Sequence, residues 1–233
     1  MEMAGRRMKT FIAVVLWACI YLPLSASQGL EKKSLIFPTK TSTSYVVLEP
    51  KEMPSLSAFT LCMKVASEST FGYSLFSYAT THHDNELLVW YERNGDFSLY
   101  LSSTVIHFIL PEMDAQLRHM CVTWESEEGL TTFWVNGQRS IEKVVNRKGN
   151  VRGGGTIILG QEQDSVGGRF DANQCFVGEM ADVNLWDHVL TAYEINVVSQ
   201  GCGCLGGNII DWATIRYKSV GNVKIKDNKD CMD

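Results

Sequence analysis

The sequence has no excess of positive charge, no Asn-x-Ser/Thr acceptor site and few prolines. Lys and Arg number 21 against 26 Asp and Glu, which gives a net charge of −5. An acidic chain of this kind binds nucleic acid poorly through bulk charge. The missing Asn-x-Ser/Thr motif predicts that no N-linked glycan is attached. Any binding of polyanions would therefore require bound cations that reverse the local charge.

A short basic and apolar segment opens the chain. Its basic residues are Arg6, Arg7 and Lys9; residues 10–22 are apolar and residues 25–27 are small. Because a membrane-spanning helix needs about 20 apolar residues, this pattern predicts a signal peptide over 1–27 rather than an anchor. Residues 28–233 would then form one secreted domain with no integral membrane association.

One of the seven cysteines, Cys19, lies in the predicted leader. Six remain in the mature chain: Cys62, Cys121, Cys175, Cys202, Cys204 and Cys231. An even number in a secreted chain indicates disulfides, but the sequence alone does not choose the pairs.

Short apolar or alternating runs dominate the mature chain. They fall at residues 44–48, 59–65, 72–78, 87–91, 97–101, 121–125, 131–135, 156–160 and 181–186. Asn136-Gly137 is a strong hairpin signal, because both positions tolerate a positive φ. Many short strands with regular turns predict an all-β sandwich or barrel.

One segment departs from the strand pattern. Thr191 and Glu194 have the spacing of a capping box, and Gly201 can end the helix that follows. We predict one short surface helix over about 191–200. The polar tail after Ile225 is expected to lack regular structure.

Oxygen-bearing side chains occupy two polar stretches, each next to a predicted strand. Asp84 and Asn85 precede the run at 87–91, and the second stretch holds the other candidates: Glu162, Gln163, Asp164, Asp171 and Gln174. Carboxylates, amides and backbone carbonyls are the ligands of Ca²⁺, about 6–8 per ion. Composition alone leaves two interpretations open, a calcium-binding loop or a solvated acidic loop.

Zinc binding and catalysis are both disfavoured. His82 and His83 are adjacent, and neighbouring residues on a strand point to opposite faces, which hinders joint ligation. Glu162 and Asp164 could be a glycosidase pair, but their neighbours are typical of metal ligands. Because no nucleophile motif has a matched base, we predict that the protein is not an enzyme.

One motif carries a family resemblance. Residues 119–126 read HMCVTWES and match the pattern His-x-Cys-x-Ser/Thr-Trp-x-Ser/Thr of the pentraxins. Further matches are SLFSYAT at 74–80, DNELLV at 84–89, FWVNG at 133–137, IILGQEQDS at 157–165 and VNLWD at 183–187. The chain thus resembles the short pentraxin family from about residue 37 to 217. The resemblance implies a two-sheet lectin-like jelly-roll sandwich with one short surface helix.

The resemblance also implies two calcium ions per subunit on one face of the molecule. By position, the first ion would be held by Asp84, Asn85, Glu162, Asp164 and the backbone carbonyl of Gln163. The second would share Glu162 and Asp164, and add Asp171 and Gln174. Asp171 is one methylene shorter than the family's Glu, so the second ion is expected to bind more weakly or to shift its loop.

A ligand pocket and one disulfide follow from the same resemblance. Trp90 and Tyr100 fall at the aromatic positions of the pocket, where a ring face could hold an ammonium group; ordinary packing stays open for Tyr100. Phosphocholine-binding pentraxins have a Glu at the position of Val105, so phosphocholine is expected to bind less tightly than phosphoethanolamine. Cys62 and Cys121 match the family's intrachain disulfide.

The function implied is calcium-dependent pattern recognition in innate immunity and the acute phase. Expected ligands are phosphoethanolamine- or phosphocholine-type head groups and acidic glycans on microbes and cell debris, with chromatin bound only through calcium. A homopentameric ring would supply avidity, and its helix-bearing face would meet complement and phagocyte receptors. The alternative is an adhesive laminin-G-like extracellular module without an immune role.

Overall fold

The computed structural model describes residues 29–102, 104–201 and 205–228. The predicted leader, its cleavage position and three cysteines (Cys202, Cys204 and Cys231) lie outside these residues. Within the described ranges, no helix is long and apolar enough to cross a bilayer.

The described residues form two antiparallel sheets and one short helix. In chain order the elements are β1 Lys33–Phe37, β2 Tyr45–Glu49, β3 Ala58–Ala66, β4 Tyr73–Ala79, β5 Leu87–Tyr91, β6 Asp96–Leu101, β7 Thr104–Ile109, β8 Arg118–Glu125, β9 Leu130–Val135, β10 Gln138–Arg139, β11 Lys143–Val144, β12 Thr156–Leu159, β13 Gly178–Trp186, α1 Ala192–Gln200, β14 Arg216–Val220 and β15 Lys224–Asp227. The first sheet has the order β10-β9-β8-β3-β13-β1-β15, with β11 also paired to β9. The second has the order β14-β2-β12-β4-β5-β6-β7. This two-sheet arrangement confirms the predicted fold class.

The main core lies between the two sheets and follows the alternation of the strands. On β5, Leu87, Val89 and Tyr91 belong to the core cluster. Because successive side chains of a strand point to opposite faces, Leu88 and Trp90 lie on the outer face of the second sheet. Leu88 is buried there, with 3% exposed, whereas Trp90 is partly exposed, so this face is accessible at Trp90.

The outer face of the first sheet is covered by α1. Ile195 and Val198 of the helix belong to a second apolar cluster with Trp134 and Trp186. Burial on both sides explains why β3 reads as a continuous run of buried residues rather than an alternating one. The helix thus packs against the first sheet, whereas Trp90 lies on the outer face of the second sheet.

The short sequence motifs correctly predicted one hairpin turn and the start of the helix. Asn136 and Gly137 have φ of 48° and 77° and join β9 to β10 as the predicted hairpin turn. Thr191 is the N-cap of α1, and both hydrogen bonds of its capping box with Glu194 are present. The helix ends at Gln200, as predicted.

The prediction that the tail after Ile225 lacks regular structure was wrong for Lys226 and Asp227, which belong to β15 and pair antiparallel with β1. Residues 229–233 of that tail lie outside the described residues. β14 was also missed, because both strands are polar edge strands with little apolar alternation. Their order comes from pairing with strands that lie far away in the sequence.

Candidate functional site

Two predicted polar stretches meet beside β4 of the second sheet. Asp84 and Asn85 lie in the turn between β4 and β5, and Glu162 to Asp164 follow β12. β12 runs antiparallel to β4, so it ends at the far end of β4 from that turn. The chain then folds back, and the Gln163 side chain bonds to Ser77 and to the Thr156 carbonyl near the turn. Asp84 and Asp164 line the same surface depression, together with His82 and His83.

A buried carboxylate holds the first of these turns in place. Glu86 is fully buried and accepts hydrogen bonds from the Thr80 hydroxyl (3.0 Å), the Ser102 hydroxyl (3.1 Å) and the Arg152 backbone N–H (2.8 Å). Charge-assisted bonds of this kind are stronger than neutral ones. The turn that carries Asp84 and Asn85 is therefore rigidly attached to the sandwich.

The side chain of Gln163 is occupied by the fold. Its amide nitrogen donates to the carbonyl oxygens of Ser77 and Thr156, each at 3.0 Å, and its amide oxygen accepts from the Gly167 N–H at 2.8 Å. Any contact between this residue and a cation would be made by its backbone carbonyl.

Glu162 is the most strongly perturbed carboxylate among the described residues. Only 3% of the residue is exposed. Burial, followed by the charges of Asp164 and Asp84, raises its pKa to about 7. A cation next to these three carboxylates would remove that repulsion.

Three buried oxygen atoms also indicate a cation site. Asn85 Oδ1, Glu162 Oε2 and Gln174 Oε1 are buried and have no hydrogen-bond partner among the described residues. A buried oxygen without a partner is costly, and a cation is a common reason for one. Two amide oxygens and a carboxylate suit a hard cation such as Ca²⁺, so the residues fit the ion that the resemblance implies.

Asp171 is bound within its own loop. It is exposed, and its Oδ1 accepts from the backbone and side-chain N–H groups of Asn173 at 2.9 and 3.1 Å. The Gln174 backbone carbonyl is held by the Ser74 N–H of β4 at 3.1 Å. Gln174 is thus fixed to the sheet, and the charges that raise the pKa of Glu162 are those of Asp164 and Asp84.

Only one trio of His, Cys, Asp or Glu side chains in the described ranges has its ligand atoms within 4.8 Å of one another. It comprises Cys62, His119 and Cys121. The two cysteines form a disulfide, which was implied by the family resemblance, so this trio is not a metal site. Cys175 is buried and pairs with neither of them.

Both predicted pocket residues lie on the outer face of the second sheet. Trp90 is partly exposed and donates from Nε1 to Glu92 Oε2 at 2.9 Å. Tyr100 is also partly exposed and lies directly opposite Val105 of β7, which is 42% exposed. Tyr100 is therefore not a core residue, and Val105 borders the same surface.

A Ser-His-Asp group on this face lacks the geometry of a catalytic relay. Ser98 Oγ lies 2.9 Å and Asp96 Oδ1 3.3 Å from the same atom, His107 Nδ1. A relay needs the nucleophile and the orienting carboxylate on opposite ring nitrogens. These contacts position the ring and do not activate the hydroxyl.

The fold and the site define a class of lectin-like β-sandwich with its candidate ligand surface on loops and on outward strand residues. Residues 33–227 match the model of the pentaxin family, and the chain belongs to that family, also spelled pentraxin. Pentraxins such as C-reactive protein and serum amyloid P-component are non-enzymatic recognition proteins.

The relatives span almost the whole chain. C-reactive protein of Danio rerio is 44% identical over 220 residues, which cover 91% of this chain and 97% of the relative. Mucosal pentraxin of Mus musculus is 42% identical over 219 residues, covering 94% and 98%. Serum amyloid P-component of Cavia porcellus is 40% identical over 207 residues, covering 89% and 92%. Because the chain is almost equally identical to these three relatives, its own ligand preference must be argued from the pocket residues.

Solved structures show the same fold. A heptameric SAP-like pentraxin from Limulus polyphemus has a TM-score of 0.80 at 23% identity, covering 87% of this chain and 98% of its own. Domains LG4-5 of the mouse laminin alpha1 chain have a TM-score of 0.56 at 12% identity, covering 96% and 52%. The laminin-G-like module, which is the alternative interpretation of the sequence, therefore shares this fold.

Proposed function

We propose that this pentraxin is a secreted, calcium-dependent pattern-recognition protein. The observation that carries the proposal is the group of three buried, unpartnered oxygens on Asn85, Glu162 and Gln174. They lie on loops next to β4 and β12, in the sheet whose outer face presents Trp90 and Tyr100. A cation site beside an aromatic surface suits a ligand that has both an anionic and an apolar or cationic part.

Two calcium ions per subunit are proposed. Asp84, Asn85, Glu162, Asp164 and the Gln163 carbonyl would hold the first; Glu162, Asp164, Asp171 and Gln174 would hold the second. Bound calcium would reverse the local charge of this acidic chain and offer open coordination to phosphate or carboxylate oxygens. The protein's own part is to fix the ligand oxygens, through the bonds of Glu86 and Gln163, before an ion arrives.

Ligands of this site would be phosphoethanolamine- or phosphocholine-type head groups and acidic glycans on microbes and cell debris. Chromatin would bind only through the calcium ions, because the chain has a net charge of −5. The aromatic faces of Trp90 and Tyr100 can attract an ammonium group, worth about 0.5–2 kcal/mol.

The protein is proposed to act as a homopentameric opsonin. The Limulus relative is heptameric, so hydrodynamic mass decides the number of subunits here. Several weak sites on one face would gain avidity of about 10²–10⁴-fold on a repetitive surface. Complement and phagocyte receptors would meet the opposite face, which carries α1.

Calorimetric titration of the chelator-stripped protein with calcium tests the proposal. We expect two ions per chain, and binding of phosphoethanolamine and phosphocholine only after the ions have bound. Absence of calcium uptake would reduce the two loops to a solvated acidic surface and would refute the proposed function.

Val105→Glu is expected to strengthen phosphocholine binding about tenfold in calcium, since it adds a carboxylate directly opposite Tyr100. Equilibrium titration with phosphocholine measures the change. Val144→Glu is the matched control, because Val144 is 58% exposed on the other sheet. An unchanged affinity in Val105→Glu would show that this position does not face the ligand.

A further inference from the structure

The first sheet carries a buried histidine beside a lysine. His119 of β8 is 4% exposed, and the strand register places it opposite Lys64 of β3. Lys64 Nζ lies 2.9 Å from Asp182 Oδ2, so that carboxylate is already paired with the lysine. None of the ion pairs among the described residues includes His119. The imidazole therefore faces a cation and has no carboxylate of its own.

The surroundings of the two ring nitrogens suit only the neutral form of His119. Nε2 lies 3.6 Å from Cys121 Sγ, and Nδ1 is buried with no hydrogen-bond partner in the described parts of the chain. A protonated imidazole carries an N–H donor on both nitrogens, whereas sulfur is a weak acceptor. The charged ring would thus leave a buried donor unpaired, which is costly. Burial, followed by the charge of Lys64, lowers the pKa of His119 to about 4.

The helix that covers this sheet is held by few contacts. α1 has nine residues, of which Ile195 and Val198 are buried. Its last turn has no basic residue, and its C-cap has a backbone bond from the Gly201 N–H to the Val197 carbonyl at 3.2 Å. Beneath the helix, Trp134 Nε1 is buried without a hydrogen-bond partner in the described ranges. Because an isolated helix of fewer than about 12–15 residues is marginal in water, α1 depends on this packing.

The histidine and the helix share one layer of packing. α1 packs against β8, and Cys121 of β8, whose sulfur lies next to the His119 ring, belongs to the apolar cluster that holds the helix. The His119 backbone N–H donates to Asn136 Oδ1 at 3.0 Å. At the next residue, Gly137, a Cβ would lie 3.3 Å from the Ser199 hydroxyl of the helix. A change at the imidazole therefore reaches α1 through Cys121 and through the turn after β9.

The other titratable groups near this layer are bound elsewhere. β9 has no titratable side chain, and α1 has Tyr193 and Glu194, both in its first turn. Glu194 Oε2 accepts from the backbone N–H of the Thr191 cap at 2.8 Å. His188, which precedes the helix, is paired with Asp187 at 2.9 Å. Neither of these two carboxylates is bonded to the buried imidazole.

We propose that His119 makes the docking of α1 on the first sheet sensitive to acid: protonation of the buried imidazole releases the helix and exposes Trp134, Trp186 and the Cys62–Cys121 disulfide. A histidine whose pKa is lower in the folded state than in the unfolded chain stabilises the folded state at neutral pH. That stabilisation is lost as the pH falls from 6.5 toward about 4. The device lies on the first sheet and does not depend on calcium binding at the second.

Hydrogen exchange of the α1 amides in chelator, corrected for the intrinsic effect of pH on exchange, tests the proposal. Between neutral pH and about pH 5, the opening constant of the helix in the wild-type protein should rise by up to about 30-fold, as the two pKa values of His119 require. In His119→Gln, whose side chain stays neutral, the rise should be less than about threefold. His107→Gln is the matched control and should behave as the wild type, because the His107 side chain is 57% exposed on the other sheet.

Disulfide reduction gives a second readout that uses the wild-type protein alone, in case His119→Gln does not fold. A phosphine reductant should reduce Cys62–Cys121 faster at about pH 5 than at neutral pH, relative to a small-molecule disulfide under the same conditions. Equal opening constants and equal relative reduction rates at the two pH values would refute the proposal. A rise in the opening constant that persists in full in His119→Gln would assign the effect to another group and would also refute it. Because both measurements are made in chelator, a failure of the calcium proposal would leave this result unaffected.

Discussion

Glu162→Gln is expected to abolish calcium-dependent binding to immobilised phosphoethanolamine, with an apparent affinity about 100-fold lower or worse. This carboxylate would contribute to holding both proposed ions, so its loss would remove negative charge from each site. Gln has nearly the same shape and keeps an oxygen, so the fold and the oligomer should persist. Surface binding in calcium and in chelator measures the effect, with circular dichroism and hydrodynamic mass as checks on the fold.

The same substitution should stabilise the ion-free protein at alkaline pH. Glu162 has its pKa raised from 4.5 to about 7, so its charged form is disfavoured in the folded state. The wild-type protein therefore loses stability as the pH rises from about 4.5 to about 7, by at most about 3 kcal/mol. The neutral amide of the variant carries no such cost. Urea unfolding in chelator should show the variant as more stable than wild type at pH 8 and similar to it at pH 4.

Glu127→Gln controls for the loss of one negative charge, because Glu127 is an exposed residue in the turn that follows β8. Calcium affinity of the wild type should also fall as the pH drops below about 7, since protons then compete for Glu162. A Glu162→Gln protein that still binds ligand in calcium would contradict the shared-ion mechanism. Equal stability of this variant and the wild type at pH 8 would contradict the raised pKa.

Local chemistry explains why much of the fold could be predicted. The Asn136-Gly137 turn and the Thr191 cap depend on residues that are neighbours in the chain, and the structure has both. The partners of β15 could not be predicted, because β1 lies almost the whole domain away and β15 itself is exposed. Edge strands of this kind are held by pairing rather than by a buried face.

In the candidate site too, features set by neighbouring residues could be predicted, and features set by distant parts of the chain could not. That Asp84 and Glu162 lie in loops was predictable, but their proximity depends on the loop after β12 folding back along β4, where the Gln163 side chain bonds to Ser77. The sequence assigns no role to Glu86, because three of the groups that bond to its carboxylate come from residues 80, 102 and 152, which the sequence does not bring together. Its structural role is visible only once Thr80, Ser102 and Arg152 surround it.

Replacing both Cys62 and Cys121 by Ala is expected to lower the free energy of unfolding by about 4 kcal/mol. The disulfide joins residues 59 apart, so it removes a large loop entropy from the unfolded chain. It also belongs to the cluster under α1, with Trp134, Trp186 and Ile195, so the lost sulfurs leave part of that packing empty. Guanidinium unfolding at one fixed protein concentration measures the change.

Cys175→Ala is the control for this double substitution, because it deletes a buried sulfur that cross-links nothing among the described residues. It should cost about 1–2 kcal/mol by packing alone. If the double variant loses no more than the control, the cross-link contributes little and the β3–β8 pairing holds the two strands by itself. A loss of about 4 kcal/mol with an unchanged calcium stoichiometry would show that the disulfide stabilises the helix-covered sheet independently of the ligand loops.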